Sequence, residues 1–439
     1  MRSLQYQEKK LYMDNVPLTE IAACWQTPTY VYSAQEIIQN MQAYQNGLQD
    51  HAYRLCFAVK SNSNLSILQL IAKQGWSFEV VSGGELACVL RAGAKANSVI
   101  FTGVGKTATE IAYALQEGIF CFTVESSNEL LRIQKIAEEL DIIAPISLRI
   151  NPDVDSKTHP HISTGKACHK FGMSMEQAMS LLNIPATTSL FPQAGEGAHR
   201  ADKGILRNNK YLQLRGIACH IGSQITDTEP FLLALDKMMA FMHSLEETGL
   251  HLSFLNLGGG LGIDYQNSSP PQIKEFTAQL SNKIKKLPYT LILEPGRSIV
   301  ATAGILLSRV EYIKETPEKN FVIIDCAMND LLRPALYSGW HQIIPVQQYE
   351  NLLPIHCDVV GPICETTDVL GSNRVLAIKE DDLVAIADVG AYGFSMSSTY
   401  NSRPRVAEVL IENGKPRLIR ERENYEVLYS AQIDYLVKD

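Results

Sequence analysis

Four short stretches place groups capable of chemistry directly behind apolar runs. Lys60 follows one in "FAVKSN" (57–62), where Ser61 and Asn62 turn the chain away. His220 ends "LRGIACH", Gly258, Gly259 and Gly260 end "HLSFLNLGGG", and Glu294, Pro295, Gly296 and Arg297 end "YTLILEPGR". Singly, each has an ordinary explanation. A lysine at a strand end is usually a solvated cation, a triple glycine is usually a turn, and a lone histidine in an apolar run is usually a satisfied core residue. Brought together, they supply a nucleophilic amine in a confined site, backbone amides that an anion can approach without Cβ obstruction, and a carboxylate able to face a ring nitrogen.

The elements that must position them alternate between strand-like and helix-like patterns. RLCF, SFEV, SVIF, FCFT, ISLRI, GIACH, FLNLG and LILE give eight strand candidates, with helical runs such as "NLSILQLIAKQG" and "NELLRIQKIAEEL" between them. Eight repeats of this unit predict an α/β fold built on a closed, parallel (β/α)8 TIM barrel. In such a barrel the C-terminal strand ends share one mouth, so Lys60, Ser82, Glu125, Arg149, His220, Gly258 to Gly260 and Glu294 to Arg297 converge there. Beyond Arg297, segments such as "KNFVIIDCAM" and "DLVAIADVG" predict a second, mainly β domain, which the strand-like "TPTYVYS" (27–33) could join. The expected organisation is an N-terminal segment, 1–34, that joins the β domain, a barrel over 35–300, and the β domain over 301–439. The stretch 186–204, "ATTSLFPQAGEGAHRADKG", breaks the periodicity and is expected to be a long surface loop.

Composition excludes several classes. With 439 residues, 46% hydrophobic and 20% charged, the chain reads as a globular protein with a large core. Its formal charge of −8 and lack of clustered Lys and Arg argue against a nucleic-acid partner. The start, "MRSLQYQEKKLYMDN", lacks a signal-peptide core, and no apolar run approaches the roughly 18 residues that would cross a bilayer, so a cytoplasmic protein with no membrane partner is expected. The nine cysteines show no CxxC or metal-ligand spacing; no metal is expected, and all but Cys364 read as packing thiols.

The chemistry that unites the strand-end groups is that of pyridoxal 5'-phosphate. Lys60 would bind the cofactor covalently, the GGG turn would meet its phosphate, and Glu294 would keep the pyridine nitrogen protonated, which favours carbanion chemistry at Cα. The blocks "EVVSGGEL", "RINPDVDSKTHPHISTGKACHKFGM", "GIACHIGSQI", "LNLGGGLGIDY", "EPGRSIVA", "DCAMNDLLRPALY", "VVGPICETTD" and "DVGAYGFSMSSTYN", in this order with "FAVKSN", resemble the fold type III pyridoxal phosphate decarboxylases of the alanine racemase-like fold. They are most similar to the branch acting on meso-diaminopimelate. The resemblance runs from "TPTYVYS" to "YNSRPRVAEVLI".

That resemblance implies decarboxylation of meso-2,6-diaminopimelate to L-lysine, the last step of lysine biosynthesis, in a homodimer with shared active sites. It implies that Lys60 carries the cofactor and His220 stacks on its ring. Ser223, Gly258, Gly259, Gly260, Glu294, Pro295, Gly296 and Arg297 would form the phosphate and ring site, with Tyr392 touching phosphate and substrate. Arg297, Arg333 and Tyr337 would hold the substrate's far end. Cys364 would be the proton donor, with Lys60 competing for that role, and Glu365 a substrate-binding carboxylate, both supplied across the dimer interface. These roles suit a substrate whose distal end carries both a carboxylate and an ammonium. Ornithine decarboxylases carry Asp after the cysteine, where "CE" stands here. Decarboxylases of ornithine, arginine or carboxynorspermidine remain the nearest alternatives. A racemase would want an arginine in place of Glu294, and a non-catalytic regulator on this fold would tend to lose Lys60 or Cys364. Ser61 departs from the alanine usual after the lysine.

Overall fold

The structure, a computed structural model, describes residues 3–49, 51–155, 170–182, 184, 206, 209–266, 268–284 and 288–437. The 186–204 stretch and residues 156–169 of the "RINPDVDSKTHPHISTGKACHKFGM" block lie outside them. Contacts divide the chain into one unit of residues 42–262 and 270–296 and another of residues 1–41, 263–269 and 297–439.

The first unit is a closed barrel of eight parallel strands. In chain order these are β1 (Tyr53–Ala58), β2 (Ser77–Val80), β3 (Val99–Phe101), β4 (Cys121–Val124), β5 (Ala144–Arg149), β6 (Leu212–Ala218), β7 (Phe254–Asn256) and β8 (Thr290–Leu293). Each pairs with the next, and β8 closes on β1 with Leu291 opposite Tyr53 and Leu293 opposite Leu55. All eight strand candidates fall in the barrel. Its strands are buried along most of their length because helices cover the outside, which is why they read as apolar runs instead of clean alternation.

Helix starts follow polar caps written into the sequence. The side chains of Asn64, Ser82, Thr107, Ser126 and Ser174 each accept from a backbone N–H two or three residues on. Thr107 with Glu110 and Ser174 with Gln177 complete reciprocal capping boxes. These caps end the βα loops abruptly and so hold the strand-end residues in place.

The second unit is built on a sheet in which Thr29–Ser33 lies between Gly304–Glu315, antiparallel to it, and Ala407–Glu412, parallel to it. Strands Asn320–Ile324, Ile355–Val360 and Val369–Leu376 extend one side and Lys415–Arg420 the other, while Leu383–Ile386 and Ile343–Pro345 branch from Gly304–Glu315. A (β/α)8 barrel with a separate, mainly β unit is thus the architecture. The eight described cysteines are free thiols; Cys24 joins Cys364 in being exposed, against the expectation that it packs inside. Among the described residues, no helix is long and apolar enough to cross a membrane.

Within the barrel, Cys56, Ile100, Cys121, Phe254 and Ile292 form one buried cluster, a residue from each of five strands. Phe254 fits because β6 carries Gly216 beside it: a Cβ there would stand 2.5 Å from the ring. Phe254→Ala should therefore cost about 3–5 kcal/mol, read from denaturant unfolding. A loss below about 1 kcal/mol would show that this cluster does not hold the barrel together.

Candidate active site

The opening lysine sits in a single 3₁₀ turn, Val59–Ser61, immediately after β1. Its Nζ donates to both carboxylate oxygens of Glu79, at 3.1 and 3.0 Å. Glu79 is the third residue of β2, only 1 % exposed, and its Oε1 also accepts from the Thr102 hydroxyl. A carboxylate withdrawn from water needs such partners. The Ser61 hydroxyl donates to the Ala58 carbonyl at 2.7 Å, so the departure from alanine brings no unsatisfied group. Pro295 and Gly296 pack on the same turn: the Ala58 N–H donates to the Pro295 carbonyl at 3.1 Å, and a Cβ on Gly296 would lie 2.9 Å from Ser61 Oγ.

Glu294 follows β8 directly and accepts from Asn256 Nδ2 at 2.6 Å. Burial, reinforced by repulsion from Glu79, pushes its carboxyl up to about 7, against the pull of Asn256, Lys60 and Arg149. His220 follows β6 and accepts from the Gly259 N–H at Nδ1, 3.2 Å away, which leaves its ring proton on Nε2. Burial first, then the nearby cations Lys60 and Arg149, hold its pKa well below the usual value, so the ring is neutral.

The triple glycine does something different from what its sequence suggests. The Gly258 amide donates to Asn256 Oδ1 at 2.8 Å and the Gly259 amide to His220, so two of the three amides turn inward instead of lying open to a phosphate. Glycine is required by close approach: a Cβ on Gly259 would stand 2.1 Å from the Glu294 carbonyl oxygen, and Gly258 and Gly260 adopt φ of 68° and 122°. The Gly260 amide is engaged by no described acceptor. Ser223 lies in the neighbouring turn, which Ile225 ties to Gly260 through an N–H to carbonyl bond of 2.9 Å.

Two strand-end groups form their own frame. Arg149, at the end of β5, donates to Glu125 Oε1 at 2.8 Å, and the Glu125 carboxylate also accepts from the Gly103 and Gly172 amides at 3.1 Å. Lys60, Glu79, Arg149, His220, Asn256 and Glu294 all line one cavity of about 450 Å³. A primary amine, a flat neutral ring and a carboxyl titrating near neutrality in one cavity fit pyridoxal phosphate: Lys60 for its aldehyde carbon, His220 for its ring face and Glu294 for its nitrogen.

The second unit gathers the residues expected at the substrate's far end. Arg297 Nη1 donates to the Tyr265 hydroxyl at 2.9 Å, and its Cζ lies 4.7 Å from the Tyr392 ring centroid. Arg333 Cζ lies 4.3 Å from the Tyr265 ring centroid. Arg333 and Tyr337 are the first and last residues of one short helix, a four-residue spacing that puts them on one side. Tyr392 holds a φ of 56°, strain that a bulky residue keeps only where its surroundings impose it. Cys364 and Glu365 are exposed on a turn clipped by Asp368, which accepts from the Met328 and Ile363 amides at 2.7 Å. The Glu365 carboxylate accepts from the Tyr400 hydroxyl. Sequence reasoning missed Glu79, Thr102, Asn256 and Tyr265.

Comparison with known proteins agrees with this chemistry. The family model described as "Pyridoxal-dependent decarboxylase, pyridoxal binding domain" matches residues 34–190 and 199–301. The diaminopimelate decarboxylase of Vibrio cholerae is 44% identical over 434 residues, 98% of this chain and 99% of that one. Among solved structures, diaminopimelate decarboxylase from Helicobacter pylori complexed with L-lysine superposes with a TM-score of 0.87 at 39% identity, covering 95% of this chain and 100% of that one. The enzyme from M. jannaschii in co-complex with L-lysine gives 0.88 at 36%, covering 99% and 98%.

A raised carboxyl binds its proton more tightly in the folded state, so Glu294 should make the cofactor-free protein lose stability as pH rises from about 4.5 through about 7, with the penalty constant above that. Glu294→Gln should flatten this dependence and gain up to about 3 kcal/mol at pH 8, read from denaturant midpoints across pH. Parallel pH profiles for the two proteins would contradict the assignment.

Proposed function

We propose residue roles for a chain that belongs to the pyridoxal-dependent decarboxylase family and, within it, to the diaminopimelate decarboxylases. The chain is a carboxy-lyase that converts diaminopimelate to lysine and carbon dioxide with pyridoxal phosphate. When bound, pyridoxal phosphate supplies a sink for the electron pair left at Cα as carbon dioxide departs.

In this reading Lys60 supplies the anchoring amine, and Glu79 holds that amine in place through both oxygens. Glu294 presents its carboxyl to the ring nitrogen, and His220 lies against the ring as a neutral plate. Ser223, Gly260 and Glu294 to Arg297 hold ring and phosphate, Gly258 and Gly259 shape the turn that carries Gly260, and Tyr392 reaches both phosphate and substrate. Arg297 and Arg333, with Tyr337, bind the distal carboxylate, and Glu365 binds the distal ammonium. Cys364 Sγ delivers the proton to Cα; the Lys60 amine is the competing donor. Exposure of Cys364 and Glu365 on the single chain supports their service to a second copy, in a cytoplasmic homodimer with shared sites and neither nucleic-acid nor membrane partners.

The observation that carries the substrate assignment is the pair of guanidiniums gathered around Tyr265. Ornithine has no distal carboxylate and would leave the Arg333 guanidinium without a counter-charge, whereas diaminopimelate supplies one.

Carbon dioxide release from meso-diaminopimelate, ornithine, arginine and lysine, assayed in parallel with added cofactor, tests this. Release from meso-diaminopimelate alone is expected; release from ornithine or arginine alone would overturn the roles of Arg333 and Glu365. Mixed Lys60→Ala and Cys364→Ala chains, each inactive, should recover roughly a quarter of wild-type activity if each site draws on both subunits. Verified heterodimers without activity would contradict sharing.

A further inference from the structure

Arg333 leans on a histidine that none of these roles uses. His341 is wholly buried; its Nε2 lies 2.7 Å from Arg333 Nη1, and its Nδ1 lies 2.8 Å from the Ala387 carbonyl oxygen. The roles of both ring nitrogens follow from their partners. A carbonyl oxygen can only accept, so Nδ1 carries the proton; a guanidinium can only donate, so Nε2 offers its lone pair. A doubly protonated ring would set N–H against N–H. Burial, with the charge of Arg333 adding to it, holds the ring pKa at about 3, so the neutral form persists across the working range.

The ring is fixed from several sides. Its backbone carbonyl accepts from Arg374 Nη2 at 2.9 Å, and the Arg374 guanidinium sits 4.5 Å from the Trp340 ring centroid. The Ala387 amide donates to the Gln342 carbonyl at 2.9 Å, beside the paired strands Ile343–Pro345 and Leu383–Ile386. Tyr265, whose ring also carries Arg333, meets the imidazole edge-on, 5.2 Å between centroids. One N–H of Arg333 is therefore directed at a fixed acceptor while its Cζ sits over a fixed ring. Among the described residues, no carboxylate is ion-paired with Arg333, although burial, and to a lesser degree the charge of Arg297, weigh against its own charge.

We propose that His341 is a positioning residue for substrate recognition: held neutral between Arg333 and the Ala387 carbonyl, it sets the plane of the Arg333 guanidinium so that the remaining N–H groups meet the carboxylate at the substrate's far end. This rests on the reading that Arg333 receives that carboxylate. A hydrogen bond to a charged group that orients rather than reacts should appear in substrate binding, not in the chemical step.

The test compares the holoenzyme with its Arg333→Met, His341→Ala, His341→Phe and His341→Gln variants and the Arg333→Met/His341→Ala double variant. KM and kcat for meso-diaminopimelate and the inhibition constant of L-lysine, which keeps the distal carboxylate, are measured for each. His341→Ala should raise KM and the lysine constant about tenfold to a hundredfold, with a far smaller change in kcat. His341→Phe keeps the ring's bulk without its hydrogen bonds and should do the same, which covers the case that the alanine variant does not fold. His341→Gln restores an acceptor toward Arg333 and should recover most of the loss. The double variant should be no worse than Arg333→Met alone, because the two residues act as one unit. If Arg333→Met raises KM while the His341 variants leave it alone, or lower only kcat, the positioning role falls and the reading of Arg333 stands. An unchanged KM in Arg333→Met would overturn both.

Discussion

Two carboxylates, Glu79 and Glu294, are almost wholly withdrawn from water within reach of a single amine, Lys60. Separating an ion from water inside a protein is costly unless it is paired, and two like charges cannot share one counter-ion at full strength. Glu79 takes Lys60 directly, through both oxygens, with Thr102 as a further donor. Glu294 is left with Asn256, and its carboxyl rises to about 7. Much of the barrel mouth follows from this arrangement. Asn256 bonds both Glu294 and the Gly258 amide, the Gly259 amide fixes the tautomer of His220, and Gly259 lets the β7 turn approach the Glu294 backbone. A pyridinium nitrogen would give Glu294 the counter-charge that Lys60 already gives Glu79.

The second unit gathers cations instead. Arg297 and Arg333 are both nearly buried and both lie against tyrosines, and Arg333 is oriented by a neutral imidazole in place of a carboxylate. Aromatic faces and a lone pair steady a guanidinium without neutralising it. In the role proposed for Arg333, a wrong ligand would leave that guanidinium without its counter-charge, a stronger filter than a difference in apolar contact.

The barrel was legible because its strands are short, buried runs separated by capped helices, and each strand-end residue inherited its place from that count. Lys60, His220 and Glu294 reach one cavity for this reason. Glu79 was harder to see. In "SFEV" it looks like the solvent side of an alternating strand, yet a covered parallel barrel has no solvent side, so an acidic residue within such a strand is itself a signal. Asn256 was hidden by the more conspicuous glycines that follow it. Tyr265 and His341 carry no local signal: one belongs to a seven-residue segment, 263–269, that clusters with the second unit, and the other gains its meaning from partners 8 and 46 residues away along the chain. The glycine turn was legible as a turn and misread in detail, because the direction of its amides depends on Asn256 and His220.

The claim on which the account rests is that Lys60, held by Glu79, is the amine that takes the cofactor. The barrel also holds a buried lysine for contrast: Lys106 donates to the carbonyls of Gly103 and Thr123, both at 2.8 Å, and to Glu129 at 2.6 Å, and is fully committed to structure. Borohydride reduction of the holoenzyme followed by peptide mass mapping decides the matter. A pyridoxyl addition is expected on the peptide that contains Lys60 and on no other. An addition on Lys106 or any other lysine, with the Lys60 peptide unmodified, would contradict it.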